Sequence, residues 1–297
     1  MSRSAPEELA LRWVPGEGPV TIQPSASGLV NQSYRVARGG REYSMRVAAD
    51  APGFGVEREW ECRVLECAAA AGVAPAIECC EPRSGILVAE WVGGREWTPE
   101  EIPQPGKVHA MTGLLRRVHS LPIPQPARIV SPAAWIALYA AASTSRGKAA
   151  EAAAAPASAA AELREAADAR IAELAAMSSA PTVLCHSDLH RHNVADGARL
   201  VLLDWEYAHV SDPYWDLGSW IANNDGTEDF AARLLAGYLE RPPRPDEAAR
   251  LRLHAWLYDY VCLQWSELYL SRRPGARSAA VAARAARLAA RLRMPVR

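Results

Sequence analysis

A chain of 297 residues can bury one large core or two ordinary ones. With 49% hydrophobic and 23% charged residues it falls among globular proteins, which excludes disordered, collagen-like and coiled-coil classes. The formal net charge of −1 supplies no field for collecting nucleic acid or an anionic membrane, and neither is expected as a partner. The longest uncharged run, residues 129–145, is interrupted by Pro132 and falls short of the roughly 20 apolar residues that cross a bilayer. The opening residues MSRSAPEELALRW hold no apolar core of a signal segment, so a cytoplasmic protein is expected. Its cysteines, Cys62, Cys67, Cys79, Cys80, Cys185 and Cys262, have no CxxC spacing and read as reduced thiols, most of them small core residues.

Residues 20–22, 31–36 and 42–47 read as strands, the last two joined by the turn Arg38-Gly39-Gly40-Arg41. Residues 56–71 place Trp60, Val64, Leu65 and Ala68 at helical spacing ahead of Gly72, a natural helix stop. Residues 76–80 and 85–91 form a second strand pair. After Gly93-Gly94, read as a flexible linker, helical patterns take over at 108–119 and again from Trp135 through Met177, with breaks near Gly147 and Pro156. The alanine-rich part of that run has helix propensity and no chemistry. A short β segment at 183–203 interrupts helices that then resume to the C-terminus. The expected fold is α+β and bilobal, with a small β-rich lobe over 1–93, a larger, mainly helical lobe over 94–297, and a ligand cleft between them.

Residues 184–218, LCHSDLHRHNVADGARLVLLDWEYAHVSDPYWDLG, carry the chemistry. If Ala195 pairs with Leu200, Asn193 lies opposite Leu202 and Asp204 stands two residues further, within about 7 to 8 Å. A hairpin then offers an amide oxygen and a carboxylate at its open end, with Asp188 just upstream. Oxygen ligands of this kind suit Mg²⁺, which shares its coordination with phosphate oxygens. Phosphoryl transfer needs a carboxylate to orient the acceptor hydroxyl and take its proton, ligands for metal, and a cation on the phosphates. Asp188, Asn193 and Asp204 fill the first roles. For the cation, Lys107 and Lys148 are the only lysines, and Arg46 is the one basic residue inside the strand at 42–47, with Glu61 on the following helix three residues after Arg58. His186 reads as a structural loop residue. The grouping His186, Asp188, His190 and His192 has the loose spacing of a zinc site but no HExxH pattern, which leaves a zinc hydrolase as a minor alternative.

The ordered set SGLVNQSYRV, the RxxE ending at Glu61, GVAP at 72–75, ILVAEWVGG, LLRRVHSLP, HSDLHRHN, LLDWEYA and DPYWDLG resembles the aminoglycoside phosphotransferase and choline kinase superfamily, whose members share the bilobal protein-kinase-like fold. The resemblance spans nearly the whole chain. It implies a kinase that uses ATP and Mg²⁺ to phosphorylate the hydroxyl of a small molecule. Asp188 would be catalytic, and Asn193 and Asp204 would hold metal. The nucleotide would be held by Ser27 and Asn31, by Arg46 with its partner Glu61, and by the backbone from Glu90 to Val92. Asp216 would brace the catalytic loop. Arginine at position 46 departs from the lysine of protein kinases and aminoglycoside phosphotransferases, and is common in choline-kinase-like and thiamine-kinase-like members.

For the acceptor, Tyr258, Trp265 and Tyr269 fall at i, i+7 and i+11 on one helix face, with Glu206 as a candidate carboxylate. Aromatic faces hold cations, and the same spacing equally describes an amphipathic core helix. DWEYA, DPYWDLGSWIANND and LYDYVCLQWSELY resemble choline kinases and bacterial thiamine kinases more than aminoglycoside-resistance enzymes. The expected acceptor is therefore choline or thiamine, each a cation with a primary hydroxyl. An aminoglycoside or sugar phosphotransferase and a non-catalytic nucleotide-binding pseudokinase are the alternatives. An antibiotic acceptor would need an acidic surface, for which Glu206, Asp212, Asp225 and Glu228 are the available carboxylates. Nothing in the sequence fixes the oligomeric state.

Overall fold

A computed structural model describes residues 5–25, 30–49, 53–144, 158–178, 180–273, 275 and 278–294. Ser27 and the expected breaks at Gly147 and Pro156 lie outside these residues.

The sequence reading places no element at Pro6–Trp13, where the structure has helix α1, opened by a proline whose missing N–H costs nothing at that position. Five strands follow: β1 (Thr21–Ser25), β2 (Gln32–Arg38), β3 (Arg41–Val47), β4 (Ile77–Glu81) and β5 (Ile86–Glu90). They form one antiparallel sheet in the order β1-β2-β3-β5-β4. Pro24 is tolerated because β1 is an edge strand. Between β2 and β3, Gly39 and Gly40 both take positive φ, 55° and 75°, which a two-residue hairpin loop requires. Alternation along β3 sends Tyr43 and Met45 to a core shared with Ala10 of α1 and Val14 just after it, and Ser44 and Arg46 to the opposite face.

Helix α2 (Arg58–Ala70) lies between β3 and β4 and ends before Gly72, at φ 66°. Its packing on β4 brings Cys62 and Cys80 to a Cα separation of 5.7 Å, and the two form a disulfide. That corrects the expectation of six reduced thiols; Cys67, Cys79, Cys185 and Cys262 remain as thiols.

The C-terminal part is helical. Helices α3 (Pro105–His119), α4 (Pro132–Thr144), α5 (Ala159–Glu162) and α6 (Arg164–Ala176) precede four short strands, β6 (Val183–Cys185), β7 (Val194–Asp196), β8 (Leu200–Leu202) and β9 (His209–Ser211). Helices α7 (Tyr214–Asn223), α8 (Glu228–Leu239), α9 (Pro245–Arg272) and α10 (Ser278–Leu292) complete it. α9 is the central post, packed by α4, α7 and α10. At Gly218 the backbones of α7 and α9 come so close that a Cβ would stand 2.8 Å from the amide nitrogen of Ala255. A second core runs from Trp60 and Val64 of α2 through α3 to Leu202, Trp205 and Leu217, so the sheet part and the helical part share buried surface. No described helix is long and apolar enough to cross a membrane.

Two expectations about the hairpin change. β7 pairs with β8 as Val194 to Leu202 and Asp196 to Leu200, one residue tighter than expected, and Asn193 stands opposite Leu203, whose N–H it accepts at 2.9 Å. Asp196 is kept in the strand because its Oδ2 accepts from Trp97 Nε1 at 2.7 Å and from Lys107 Nζ at 2.5 Å. Gly93-Gly94 is also more than a linker. A Cβ on Gly197 would lie 2.0 Å from the carbonyl oxygen of Gly93, so the chain crossing from the sheet is seated directly on the hairpin turn.

Candidate active site

Asp188 follows β6 in a loop braced from below. The buried carboxylate of Asp216 accepts the N–H of His186 at 2.8 Å and of Ser187 at 2.7 Å, and His119 Nε2 lies 3.1 Å from it. Burial opposes the Asp216 charge, but His119, His186 and these backbone donors outweigh it and hold its pKa below the usual range. The brace keeps Ser187 at φ 71°, a left-handed conformation that costs a non-glycine residue of order 1 kcal/mol and recurs beside reacting groups. His186 is structural, as expected. Its Nδ1 accepts the Asp188 N–H at 3.3 Å, so Nε2 carries the proton and donates to the carbonyl of Leu203 at 2.8 Å. Burial pushes its pKa down and keeps it neutral.

The Asp188 carboxylate accepts from Tyr258 Oη at 3.2 Å and from Asn193 Nδ2 at 3.4 Å, and lies 3.7 Å from His190 Nε2. Burial alone would raise its pKa. His190, His186 and Arg284 overcome that and hold it at about 2, so the group is an ionised proton acceptor at neutral pH. Asn193 ends a short 3₁₀ turn, Arg191–Asn193; its Nδ2 donates to the Asp188 carbonyl at 2.9 Å, and no described residue donates to its Oδ1. Asp204, at φ 59°, accepts from Arg46 Nη1 at 2.9 Å.

Arg46 leads into a buried ionic network. Its Nη2 meets Glu61 at 2.5 Å, and Arg58 Nη1 meets both Glu61 and Glu206 at 2.8 Å. Asn31 closes the ring, donating to Glu206 at 2.7 Å and accepting from Arg58 at 3.2 Å. Burial, reinforced by neighbouring Asp204, pushes Glu206 up to about 7. Asp204 is likewise raised, by burial first and then by Glu61 and Asp188 against the pull of Arg46.

These groups open on a cavity of about 690 Å³ whose other walls are Trp135, Tyr139, Tyr207, Trp215, Tyr258 and Trp265. Of the expected residues, Asn31, Arg46, Asp188, Asn193, Asp204, Glu206, Tyr258 and Trp265 line it. Glu61 acts from behind, through Arg46 and Arg58. Tyr269 does not reach the cavity; it is buried and stacks on Trp265 with ring centroids 5.3 Å apart. Glu90 and Val92 are also outside the lining, and the Glu90 carboxylate takes the Ala76 N–H at 3.2 Å and Arg199 at 2.5 Å. Of the acidic surface considered for an antibiotic, only Glu206 lines the cavity, while Asp212 pairs with Arg250 and Asp225 with Arg291. The histidines of the zinc alternative diverge, with His186 on the Leu203 carbonyl and His192 on Glu96 at 2.7 Å.

The sequence reading missed several lining residues. Trp135 and Tyr139 sit one turn apart on α4, a spacing that could have marked them, and His190 lay inside the motif already singled out. Arg284 of α10 had no local signal, because an arginine in an alanine-rich helix looks like solvated surface.

A sheet whose central strand carries a paired arginine, packed on a helical part that offers Asp188, Asn193 and Asp204 to one cavity, defines a kinase-like fold built for phosphoryl transfer. The sequence matches the phosphotransferase enzyme family over residues 21–256, most of its length, and the protein belongs to that family: it is a phosphotransferase with an alcohol group as acceptor. No curated protein matches it. Among solved structures it is similar to a choline/ethanolamine kinase family protein from Mesorhizobium loti, at 24% identity and a TM-score of 0.74 over 97% of this chain and 95% of that one. A choline kinase from Streptococcus pneumoniae gives 19% identity and a TM-score of 0.73 over 96% and 97%. A macrolide 2′-phosphotransferase from Brachybacterium faecium gives 17% and 0.60 over 97% of both chains.

Proposed function

We propose that the protein is an ATP- and Mg²⁺-dependent kinase that transfers the γ-phosphate to the hydroxyl of a small cationic alcohol, choline or thiamine. The observation that carries this reading is the convergence of Asp188, Asn193, Asp204 and Arg46 on one aromatic-walled cavity. Residues 1–93 serve as the nucleotide lobe and 94–297 as the catalytic and acceptor lobe, in a cytoplasmic enzyme. The similar structures named as choline or choline/ethanolamine kinases, one of the former also solved with AMP, favour nucleotide binding and this acceptor class.

The residues fit a divalent cation. Asp188, Asp204 and Glu206 line the cavity beside Arg46 and Arg284, with Glu61 and Arg58 behind, so carboxylates outnumber guanidinium groups by four to three. Asn193 Oδ1 and the Asp204 carboxylate are the hard oxygen donors that Mg²⁺ prefers, and they would hold it. A metal held there would supply the positive charge that offsets the β- and γ-phosphates. The chain's own groups do the rest. Arg46, fixed by Glu61, meets the phosphates. Asp188, aimed by Tyr258 and Asn193, orients the acceptor hydroxyl and takes its proton as the new oxygen–phosphorus bond forms and the bond from the γ-phosphorus to the bridging oxygen breaks, releasing ADP. Aromatic faces of Trp135, Tyr207 and Trp265 supply cation-π attraction of roughly 0.5 to 2 kcal/mol per contact for a quaternary or thiazolium group.

An ADP-release screen with choline, thiamine, ethanolamine, kanamycin and hexoses tests the reading, with Asp188→Asn as control. Choline or thiamine should give the highest kcat/KM, and Asp188→Asn should lower turnover by about 10² to 10⁴ while nucleotide affinity stays close to wild type. Turnover of kanamycin or a hexose alone would transfer the assignment to that class. ATP binding without turnover of any acceptor would leave the pseudokinase.

A further inference from the structure

Two arginines line the cavity, and their surroundings differ. Arg46 is met by Glu61, Asp204 and Glu206. Arg284, half-buried on α10, makes one hydrogen bond, from Nη2 to Asn223 Oδ1 at 3.3 Å, and no ion pair with any described residue. The nearby carboxylates are engaged elsewhere: Asp259 is held by Arg291, and Asp188 by Tyr258 and Asn193. Asp188 and Asp259 favour the Arg284 charge from a distance, but neither closes on the guanidinium, and its planar fork matches the two oxygens of a carboxylate.

The position is suited to such an anion. Arg284 reaches Asp188 through a chain of hydrogen bonds: to Asn223, from Asn223 Nδ2 to Tyr258 Oη at 3.0 Å, and from Tyr258 to Asp188 at 3.2 Å. A group on Arg284 therefore sits a small molecule's length from the hydroxyl at Asp188, on the α9 side of the cavity formed by Tyr258, Val261 and Cys262. We infer that Arg284 is an anion subsite of the acceptor pocket, and that the acceptor is a zwitterion carrying a carboxylate besides its amine or ammonium group and its hydroxyl. The inference rests on the kinase reading above and moves its acceptor from choline or thiamine to a carboxylated relative of that class.

Two matched pairs test it: ethanolamine against serine, and choline against N,N,N-trimethylserine, each differing by one carboxylate. ADP release is measured for all four with wild type and Arg284→Gln, and binding of all four is measured by calorimetry without ATP. Wild type should favour the carboxylated member of a pair by about 10- to 100-fold in kcat/KM, the weight of charge-assisted hydrogen bonds. In Arg284→Gln the ratio should collapse to about one, and Arg284→Lys, with charge but no fork, should keep part of it. A purely structural effect transmitted through Asn223 and Tyr258 would lower both members equally and preserve the ratio, which overturns the inference. So does an Arg284→Gln defect confined to the ATP constant, or a wild-type ratio near one. Turnover of choline or ethanolamine without any gain from the carboxylate removes the anion subsite and leaves the cationic-alcohol reading standing. Turnover of neither pair removes choline from that reading, and the subsite then falls unless wild type binds the carboxylated members preferentially and Arg284→Gln does not.

Discussion

Arg46 takes a place where a lysine would not suffice. Its Nη1 and Nη2 hold Asp204 and Glu61 at once, which one ammonium on a flexible stem cannot match with the same fixed geometry. Arg46→Ala should raise the ATP KM and lower kcat together, because it frees Asp204 and leaves Glu61 buried with only Arg58. Arg46→Lys should recover only part of the loss. Steady-state kinetics with ATP varied checks both, and wild-type constants for Arg46→Lys would refute the bidentate role. Glu61 serves two guanidinium groups, so Glu61→Gln should be at least as damaging as Arg46→Lys. At this scale the candidate residues were legible because they fall in short contiguous motifs: Asp188 and Asn193 lie five residues apart, and Arg46 was isolated by the absence of any other basic residue in the expected strand at 42–47. Glu206, expected as an acceptor carboxylate, lines the cavity and is also tied into the ionic network. Its ties to Asn31 and Arg58 run across sequence separations of 175 and 148 residues, which no local pattern reports.

Helix α9 illustrates what periodicity can and cannot say. Tyr258, Trp265 and Tyr269 do share a face, as their spacing implies. Tyr269, however, lies one turn beyond Trp265, about 6 Å along the axis, where the cavity has ended and the core has begun. The period fixes a direction around the helix, and only the packing of α4 and the loop at Phe54 fixes how far along it the cavity extends. Trp265→Ala should therefore weaken a cationic acceptor by about 0.5 to 2 kcal/mol and leave the ATP constant unchanged. Tyr269→Ala should cost about 3 to 5 kcal/mol of folding stability instead. Tyr258→Phe removes a hydrogen bond to Asp188 and should act on kcat. Melting temperatures measured beside the two Michaelis constants separate the three, and a selective acceptor defect in Tyr269→Ala would reverse the division. The same limit explains the hairpin register. Alternation located β7 and β8, but the one-residue shift is set by Trp97, Lys107 and Gly93, all distant in sequence. The five strands and α2 were legible from turn glycines and helical spacing. α1 was not, because eight residues give too little periodicity to stand out.

Across the molecule, the aromatic wall of the cavity and the loop that carries Asp188 are tied by a buried neutral histidine. His209 on β9 donates from Nδ1 to the Tyr207 carbonyl at 3.0 Å and accepts at Nε2 from Trp135 Nε1 at 3.3 Å, while β9 pairs with β6, the strand that leads to Asp188. Burial pushes its pKa down to about 4; the Tyr207 carbonyl pulls the other way, and Arg128 adds to the depression. Once unfolded, the same imidazole titrates near 6.5. Between these values the unfolded chain binds more protons than the folded one, so stability rises with pH across the window and is lost as pH falls from about 6.5 towards 4. The loss amounts to about 3 kcal/mol when complete, and His186, also lowered by burial, adds in the same direction. Protonation would turn Nε2 from an acceptor into a donor facing the Trp135 N–H, so acid should loosen the aromatic wall along with the fold. Melting temperatures between pH 7.5 and 4.5 should fall more steeply for wild type than for His209→Gln, which should be less stable at pH 7.5 but flatter with pH. Parallel curves for the two proteins would show that His209 titrates alike in the folded and the unfolded chain, and that the acid sensitivity lies elsewhere.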